Sequence, residues 1–217
     1  MNPYLDKLLD VLVNLITAPL LFLLSKLWYS RFSKIPIRAY FSGAKFRKGK
    51  YANNRKYFKI GWKPNGVDRF NDFLEHGYFA IAWPEVGDLK QVVDKSEQGI
   101  RTYVRSRLEG EINNKTTLGQ VTGYFVRFFS IEEGDIVVTS RENHLYMYKV
   151  KESYFYSKEN AVNHTAHRIK IDKKSEVIFP LSDSLDISPK FKRAAQNRLT
   201  IISLNDYSEQ IELLLDR

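Results

Sequence analysis

The longest apolar stretch of the chain lies near its N-terminus. Between Leu8 and Tyr29 the only charged residues are Asp10 and Lys26, one near each end. Apolar stretches of this length, with aromatic residues such as Trp28 and Tyr29 at one end, are typical of a single membrane-spanning helix. We therefore expect residues 1–30 to form a hydrophobic membrane-anchor helix.

Two other interpretations of this stretch stay open. Its uncharged core, residues 11–25, has only 15 residues, whereas a spanning helix needs about 20. The helix could therefore lie in the membrane interface or pack against a partner protein. A cleaved signal peptide fits less well, because the basic flank follows the apolar stretch and no small-residue cleavage site is present. Polar residues from Asp10 to Ser25 fall near one helical face, which would allow homo-oligomerisation through the helix.

A segment rich in basic residues follows the anchor. Residues 11–67 contain twelve Lys or Arg and no Asp or Glu. Because basic flanks stay on the cytoplasmic side, we expect a single-pass protein of the inner membrane with its larger domain in the cytoplasm. Residues 31–56 are predicted to be a basic tether that contacts lipid headgroups of the inner leaflet or nucleic-acid phosphates. The residues expected to make these contacts are Arg31, Lys34, Arg38, Lys45, Arg47, Lys48, Lys50, Arg55 and Lys56.

From residue 57 onward, short apolar runs alternate with amphipathic stretches. The pattern predicts strands at 78–83, 135–140, 145–156, 167–171 and 199–204. It also predicts five helices. The first ends at Gly77, the second lies within 89–109, and the third begins at a cap of Thr116 or Thr117 and runs to about 129. The last two cover 188–195 and 207–216. We interpret 172–174 as a solvated loop. Short strands with inserted helices favour an α+β domain at 57–217, built as a small mixed β-barrel.

Five segments of this domain resemble a known family in the same order. The run from Gly77 to Leu89, GYFAIAWPEVGDL, resembles a block of the PUA-like modules that are similar to EVE and YTH domains. Tyr57–Trp62 precedes this block, and three further segments follow it: Glu133–Val138, His167–Ile171 and Phe191–Ile201. The sequence departs from the family pattern at Ala82, Pro84 and Ile171. The resemblance covers residues 57–204 and implies a PUA-like β-barrel.

The resemblance also implies a pocket that accepts a flipped or unstacked base. Such a pocket needs an aromatic wall and a few polar groups. Trp83 is the first candidate for the wall and Trp62 the second, while Asp88 would bond an exocyclic amine, and His167 and Arg168 would hold a phosphate or the rim. Alternatively, Trp83 is a core residue and Asp88 only caps a turn.

The residues give no basis for assigning a catalytic centre. The chain has no Cys, which excludes disulfides and thiolate metal sites. His164 and His167 are three residues apart, but no helix bearing a carboxylate accompanies them, and no triad or phosphate loop is present. Asp135, in a Glu-Gly-Asp turn, is predicted to be structural. We therefore expect no catalytic residue, no metal and no cofactor, and a chain that is not an enzyme on its own.

Together these patterns favour a membrane-anchored reader of nucleic acid or of a modified base. The family resemblance further implies that it is a non-catalytic sensor or adaptor in bacterial antiphage defence, with an effector protein as partner. One alternative is a membrane effector that is gated by a nucleotide second messenger and acts by oligomerisation of its helix. The other alternative is a ligand-free structural subunit of a membrane complex.

Overall fold

The structure, a computed structural model, describes residues 55–182 and 187–216. The strands in this part of the chain are β1 (Tyr57–Ile60), β2 (Tyr78–Ile81), β3 (Ile136–Arg141), β4 (His144–Tyr156), β5 (His167–Pro180) and β6 (Ile201–Ser203). The α-helices are α1 (Phe70–His76), α2 (Glu97–Leu108), α3 (Lys115–Phe129), α4 (Pro189–Ala195) and α5 (Ser208–Leu215). These elements form a mixed α+β domain, as the sequence predicts.

The six strands form one sheet in the order β2-β5-β4-β3-β1-β6. The pairing of β1 with β3 is parallel, and each of the other pairings is antiparallel. A two-residue turn joins β3 to β4, and both of its residues, Glu142 and Asn143, have positive φ. This backbone geometry is that of the tight hairpin turns that match the twist of antiparallel strands.

The sheet is curled into a half-barrel. The ladder between β4 and β5 is interrupted by register shifts, and such irregularities bend a strand and increase its twist. As a result the two ends of the sheet approach each other. Ala80 of β2 and Lys59 of β1 line the same cavity, although three strands lie between β2 and β1 in the sheet order.

Each face of the sheet has its own hydrophobic core. On β1, Phe58 and Ile60 face the larger core, which also contains the buried sides of α2 and α3. Tyr57 points the other way, into a smaller core with α4 and α5. Successive side chains of a strand alternate between faces, so Lys59 is placed on the side of the smaller core.

The first strand is held against the last helix by a buried carboxylate. Glu212 of α5 accepts a hydrogen bond from the Tyr57 hydroxyl and forms a 2.9 Å ion pair with the Arg55 guanidinium. Burial and the bond to Glu212 raise the pKa of Tyr57, so the hydroxyl keeps its proton and remains a donor. The point where the chain enters the domain is therefore fixed.

Most predicted elements are confirmed within a few residues, and two interpretations are wrong. The residues from Asp172 to Lys174, interpreted as a solvated loop, belong to β5. The cap of α3 is Asn114, whose side chain accepts bonds from the backbone N–H groups of Thr116 and Thr117. Asp135 is structural, as predicted: its carboxylate accepts bonds from the backbone N–H groups of Lys56 and Glu132.

The predicted anchor helix and most of the predicted tether lie outside the described residues. Among the residues that the structure does describe, none of the helices is long and apolar enough to cross a bilayer.

Candidate functional site

A cavity of about 500 Å³ opens at the end of β1, where the curled sheet brings β2 close. Its volume falls within the usual range for small-molecule sites. The lining residues come from three places: the end of β1 with the loop that follows it, single positions of β2 and β3, and the connection between α4 and β6. They are Lys59, Gly61, Trp62, Lys63, Pro64, Ala80, Ser140, Gln196, Asn197, Arg198 and Thr200. We call this site the basic cavity.

Lys59 is a buried cation in the basic cavity. Its exposure is only 4%, and its ammonium donates a 2.6 Å hydrogen bond to the Leu199 carbonyl. An ammonium has three donors, and no other hydrogen bond or ion pair of this group is found in the described part of the chain. Burial lowers the pKa of Lys59 to about 8, because a low-dielectric surrounding disfavours the charged form. Lys59 therefore offers unused donors to an anionic group.

Trp62 forms a fixed aromatic wall of the basic cavity. Its indole N–H donates a 2.8 Å hydrogen bond to the Ser140 carbonyl. The ring also lies edge-on to Phe70, with 6.0 Å between ring centroids. Two cations approach its faces, with the Lys63 ammonium at 4.4 Å and the Arg141 guanidinium at 5.2 Å from the ring centroid. An indole held in this way is a preformed surface for a planar group to stack on.

The rest of the basic cavity is polar and positively charged. Lys63 and Arg198 add two cations to Lys59, and Gln196, Asn197 and Thr200 add neutral donors and acceptors. None of the described residues that line the basic cavity is acidic. A Gly61 N–H bond of 2.7 Å to the Thr200 carbonyl joins the two loops that form its walls. The arrangement suits a ligand with an anionic group and a planar, hydrogen-bonding part.

Trp83, the first candidate for the aromatic wall, does not line the basic cavity. It follows β2 and has the left-handed backbone conformation, with φ 67° and ψ 60°, which is unfavourable for a bulky residue. Its ring packs against Tyr124 and Phe125 of α3, with 6.1 Å between centroids in each pair. The side chain is half-buried, so part of the indole still reaches solvent.

His167 belongs to the hydrogen-bond network that holds Trp83 in this conformation. The Leu89 N–H donates to the Tyr154 hydroxyl, so we assign the hydroxyl proton to the bond with Nδ1 of His167, at 3.0 Å. Nε2 of His167 then carries the ring proton and donates to the Trp83 carbonyl, also at 3.0 Å. His167 has no exposed surface, and burial lowers its pKa to about 4. It is a neutral core residue that positions Trp83.

Asp88 and Arg168 also lie outside the basic cavity. Asp88 caps a short 3₁₀-helix, Leu89–Gln91, by accepting a bond from the Lys90 backbone N–H. The Arg168 guanidinium stacks on the Tyr78 ring, 3.9 Å from its centroid, and donates to the Thr165 carbonyl at 2.7 Å. Arg168 lines a separate, smaller depression of about 200 Å³. Of the five predicted base-binding residues, the structure places Trp62 alone in the basic cavity.

The two described residues of the predicted basic tether make contacts within the domain. Arg55 pairs with Glu212. The Lys56 ammonium lies 3.6 Å from the Glu132 carboxylate and donates a bond to the Ser130 carbonyl. The other predicted phosphate or lipid contacts, from Arg31 to Lys50, lie outside the described residues.

The sequence interpretation missed Lys59 and Arg198. The sequence pattern marks Lys59 as unusual, because it is a charged residue within the short apolar strand Tyr57–Ile60. Buried lysines are rare unless they are paired or functional. Arg198 carried no such signal. It lies in a polar connection whose place beside β1 follows only from the pairing of β1 with β6.

In comparisons with protein-family models, with curated proteins and with solved structures, no match to this chain was found.

Proposed function

We propose that the domain is a non-catalytic binding module for nucleic acid or a nucleotide, and that the ligand enters the basic cavity. One observation carries the proposal: a fixed indole and three cations, one of them buried with unused donors, surround a nucleotide-sized space. A base would stack on Trp62, which is worth about 1–3 kcal/mol for stacking on an aromatic side chain. The phosphate of the nucleotide would bind Lys59 and Arg198, and the side-chain amides of Gln196 and Asn197 would form hydrogen bonds with the polar edge of the base.

The motif resemblance supports the same proposal. Trp62 ends the first segment that resembles PUA-like modules, and Asn197 and Arg198 belong to the last such segment. The two segments are far apart in sequence, yet both line the basic cavity. We propose accordingly that the domain is a PUA-like reader of a modified or unstacked base.

The cellular role rests on the N-terminal sequence pattern and on the family resemblance, and it is part of the same proposal. A hydrophobic helix with a basic flank would hold the reader at the cytoplasmic face of the inner membrane. The protein would then act as a sensor or adaptor in antiphage defence, and an effector protein would supply the damaging activity. A cyclic nucleotide in the same cavity would instead make the protein an effector gated by a second messenger.

The test is calorimetric titration of the full-length protein in a nonionic detergent. The panel contains nucleoside 5′-monophosphates, with and without base methylation, the corresponding nucleosides, and cyclic nucleotides. We expect monophosphates to bind more tightly than nucleosides. Lys59→Met should weaken phosphate-dependent binding about tenfold or more, since a hydrogen bond to a charged group contributes about 1.5–3 kcal/mol. Trp62→Leu should weaken binding of the base by a similar factor.

Trp83→Leu is the matched control. Trp83 is the other half-buried indole that was predicted to line the pocket, and it lies outside the basic cavity. We expect it to leave the affinity unchanged while circular dichroism shows an intact fold. If Trp83→Leu abolishes binding and Trp62→Leu does not, the ligand site lies at Trp83 and our assignment to the basic cavity is wrong. If no compound in the panel binds, the basic cavity is not a site for a free nucleotide and our assignment of the ligand to it is wrong.

A further inference from the structure

An open groove on α4 lies beside the basic cavity. This groove has a volume of about 320 Å³ and is lined by Lys190, Arg193, Ala194, Asn197 and Tyr207. Asn197 lines both the groove and the basic cavity. The two spaces therefore lie next to each other with Asn197 at their common border, and a ligand that extends out of the basic cavity past Asn197 would reach the α4 groove.

The helix presents its basic residues to the α4 groove along one stripe. Lys190, Arg193 and Ala194 are spaced at i, i+3 and i+4, which places them on a single helical face, and Asn197 follows two residues after the end of the helix. Phe191 and Ala195, one position further along, are fully buried in the smaller core. The Ser188 side chain fixes the start of the helix by accepting a bond from the Phe191 backbone N–H. The orientation of the stripe is thus set by packing.

The two cations of the α4 groove are not used to hold the fold. Lys192, on another side of the helix, is used in this way, because its ammonium donates a 2.9 Å bond to the Leu181 carbonyl. In the described part of the chain, Lys190 has no hydrogen bond or ion pair, and Arg193 makes only a 3.4 Å bond to the carbonyl of Pro189 in its own helix. Both side chains are exposed and free to meet an anionic partner.

The α4 groove also contains a supported aromatic ring. Tyr207 is half-buried, and its ring lies 5.4 Å from that of Phe191, at an angle of 32°. None of the described residues that line the groove is acidic. Cations that follow a backbone, combined with aromatic rings on which bases stack, are the usual features of single-strand binding surfaces.

We propose that the α4 groove binds the nucleotides next to the one in the basic cavity, so that the natural ligand is a single-stranded nucleic acid rather than a free nucleotide. This inference rests on the proposed function. Lys190 and Arg193 bind backbone phosphates, Tyr207 stacks a neighbouring base, and Asn197 lies at the boundary between the two subsites. Affinity should then depend on strand length and on salt, because each phosphate contact releases counterions.

The experiment compares thymidine 5′-monophosphate with a fluorescein-labelled ten-nucleotide oligo(dT) strand, using full-length protein in nonionic detergent at several salt concentrations. Lys190→Gln/Arg193→Gln removes two charges from the α4 groove. Lys151→Gln/Lys174→Gln removes two charges from exposed positions of β4 and β5 and serves as the matched control. The residues before the domain are the same in every variant, so their contribution to binding cancels.

We expect the wild-type protein to bind the strand at least tenfold more tightly than the monophosphate. The α4 variant should lose most of this gain and keep its affinity for the monophosphate. Its slope of log affinity against log salt should become shallower by about 1.4, since each phosphate contact on a single strand contributes about 0.7. The control variant should keep both the affinity and the slope of the wild type.

The other outcomes separate this inference from the proposed function. If the α4 variant binds strand and monophosphate as the wild type does, the groove inference is overturned and the proposed function stands. If the control variant loses as much as the α4 variant, the effect is general electrostatics and the inference is likewise overturned. If neither probe binds the wild type, both proposals fail.

Discussion

At the scale of single residues, Lys59 lowers the stability of the folded protein and, in our proposal, contributes to ligand binding. Removing a charge from water is expensive unless it is paired and fully hydrogen-bonded, and the ammonium has one carbonyl partner in the described structure. A methionine side chain of similar shape would lack this cost. Lys59 therefore weakens the folded state and at the same time supplies donors to the basic cavity.

We predict that Lys59→Met is more stable than the wild type by about 2 kcal/mol at pH 7. The pKa of Lys59 lies near 8 in the folded protein and near the ordinary lysine value of 10.5 in the unfolded protein. Between these pH values the unfolded state binds more protons, so wild-type stability rises with pH. Below pH 8 the cost of the buried charge is fully present. Urea denaturation at pH 7 and at pH 10.5 measures the difference between the two proteins.

The stability advantage of Lys59→Met should shrink as the pH rises through this window, because Lys59 becomes neutral in both states. Lys63→Met is the control, because it removes an exposed lysine from the same cavity. A Lys59→Met protein that is less stable than the wild type at pH 7 would contradict the prediction. Lys59 would then be a structural residue held by its bond to Leu199.

At the scale of elements, local rules determine where most helices and strands begin and end. Gly77 ends α1 in the left-handed conformation, with φ 68°, as glycine does at many helix ends. Ser188 caps α4, and Pro189 occupies its first turn. The stop at Gly77 and the short helix at 188–195 were predicted from sequence, because helix starts and stops depend on the chemistry of one or two residues.

We predict that Asn114→Ala destabilises the protein by about 1 kcal/mol, because it removes the acceptor for two N–H groups at the start of α3. Thr116→Ala and Thr117→Ala are matched controls, since these threonines were the caps predicted from sequence. The controls should cost less than Asn114→Ala in chemical denaturation. A larger loss in Thr116→Ala would restore the original prediction. The cap was misassigned because three residues with capping ability lie within four positions, and sequence alone does not rank them reliably.

The second half of β5 was missed for a different physical reason. Residues 172–176 are polar or charged, and four of the five are charged, so no alternation of apolar side chains marks a strand. They belong to β5 because the residues on both sides pair with β4: Asp172 pairs with Lys149, residues 173–176 lie at a register shift, and the pairing resumes at Val177. Strand formation of this kind depends on the neighbour rather than on the residues themselves.

At the scale of the whole molecule, the basic cavity exists because the sheet curls. In a flat sheet with this strand order, three strands would separate Ala80 from Lys59. The curl brings both residues to the basic cavity, and the α4–β6 connection forms the remaining wall. Trp62 and Trp83 were similar candidates in sequence, since each follows an apolar strand and precedes a lysine- or proline-containing turn. The curl brings Trp62 to the basic cavity, whereas Trp83 packs on α3.

The proposed membrane attachment is also tested at the scale of the whole chain, where the contributions of the two N-terminal segments can be separated. We predict that the full-length protein floats with both neutral and anionic lipid vesicles, even at 1 M salt. Deletion of residues 1–30 should remove binding to neutral vesicles and leave binding to anionic vesicles that is lost at 1 M salt, where the screening length falls to about 3 Å. Vesicle flotation followed by immunoblotting measures each fraction.

The basic residues of 31–56 are tested in the same assay. In the protein that lacks 1–30, replacing Lys45, Lys48 and Lys50 by Gln should abolish the remaining binding to anionic vesicles. Salt-resistant binding to neutral vesicles after deletion of 1–30 would show that another part of the chain attaches to the membrane.

The sequence by itself determined the features that depend on near neighbours: the α+β class, the approximate order of helices and strands, the helix stop at Gly77, and a concentration of positive charge before and at the start of the domain. The tertiary structure decided which side chains share a site. His167 became a buried neutral residue because Tyr154 and Trp83 occupy both its nitrogens, and Lys59 came to face Arg198 because β1 pairs with β6. Local patterns act over a few residues, whereas a binding site is assembled from residues that only the curled sheet brings together.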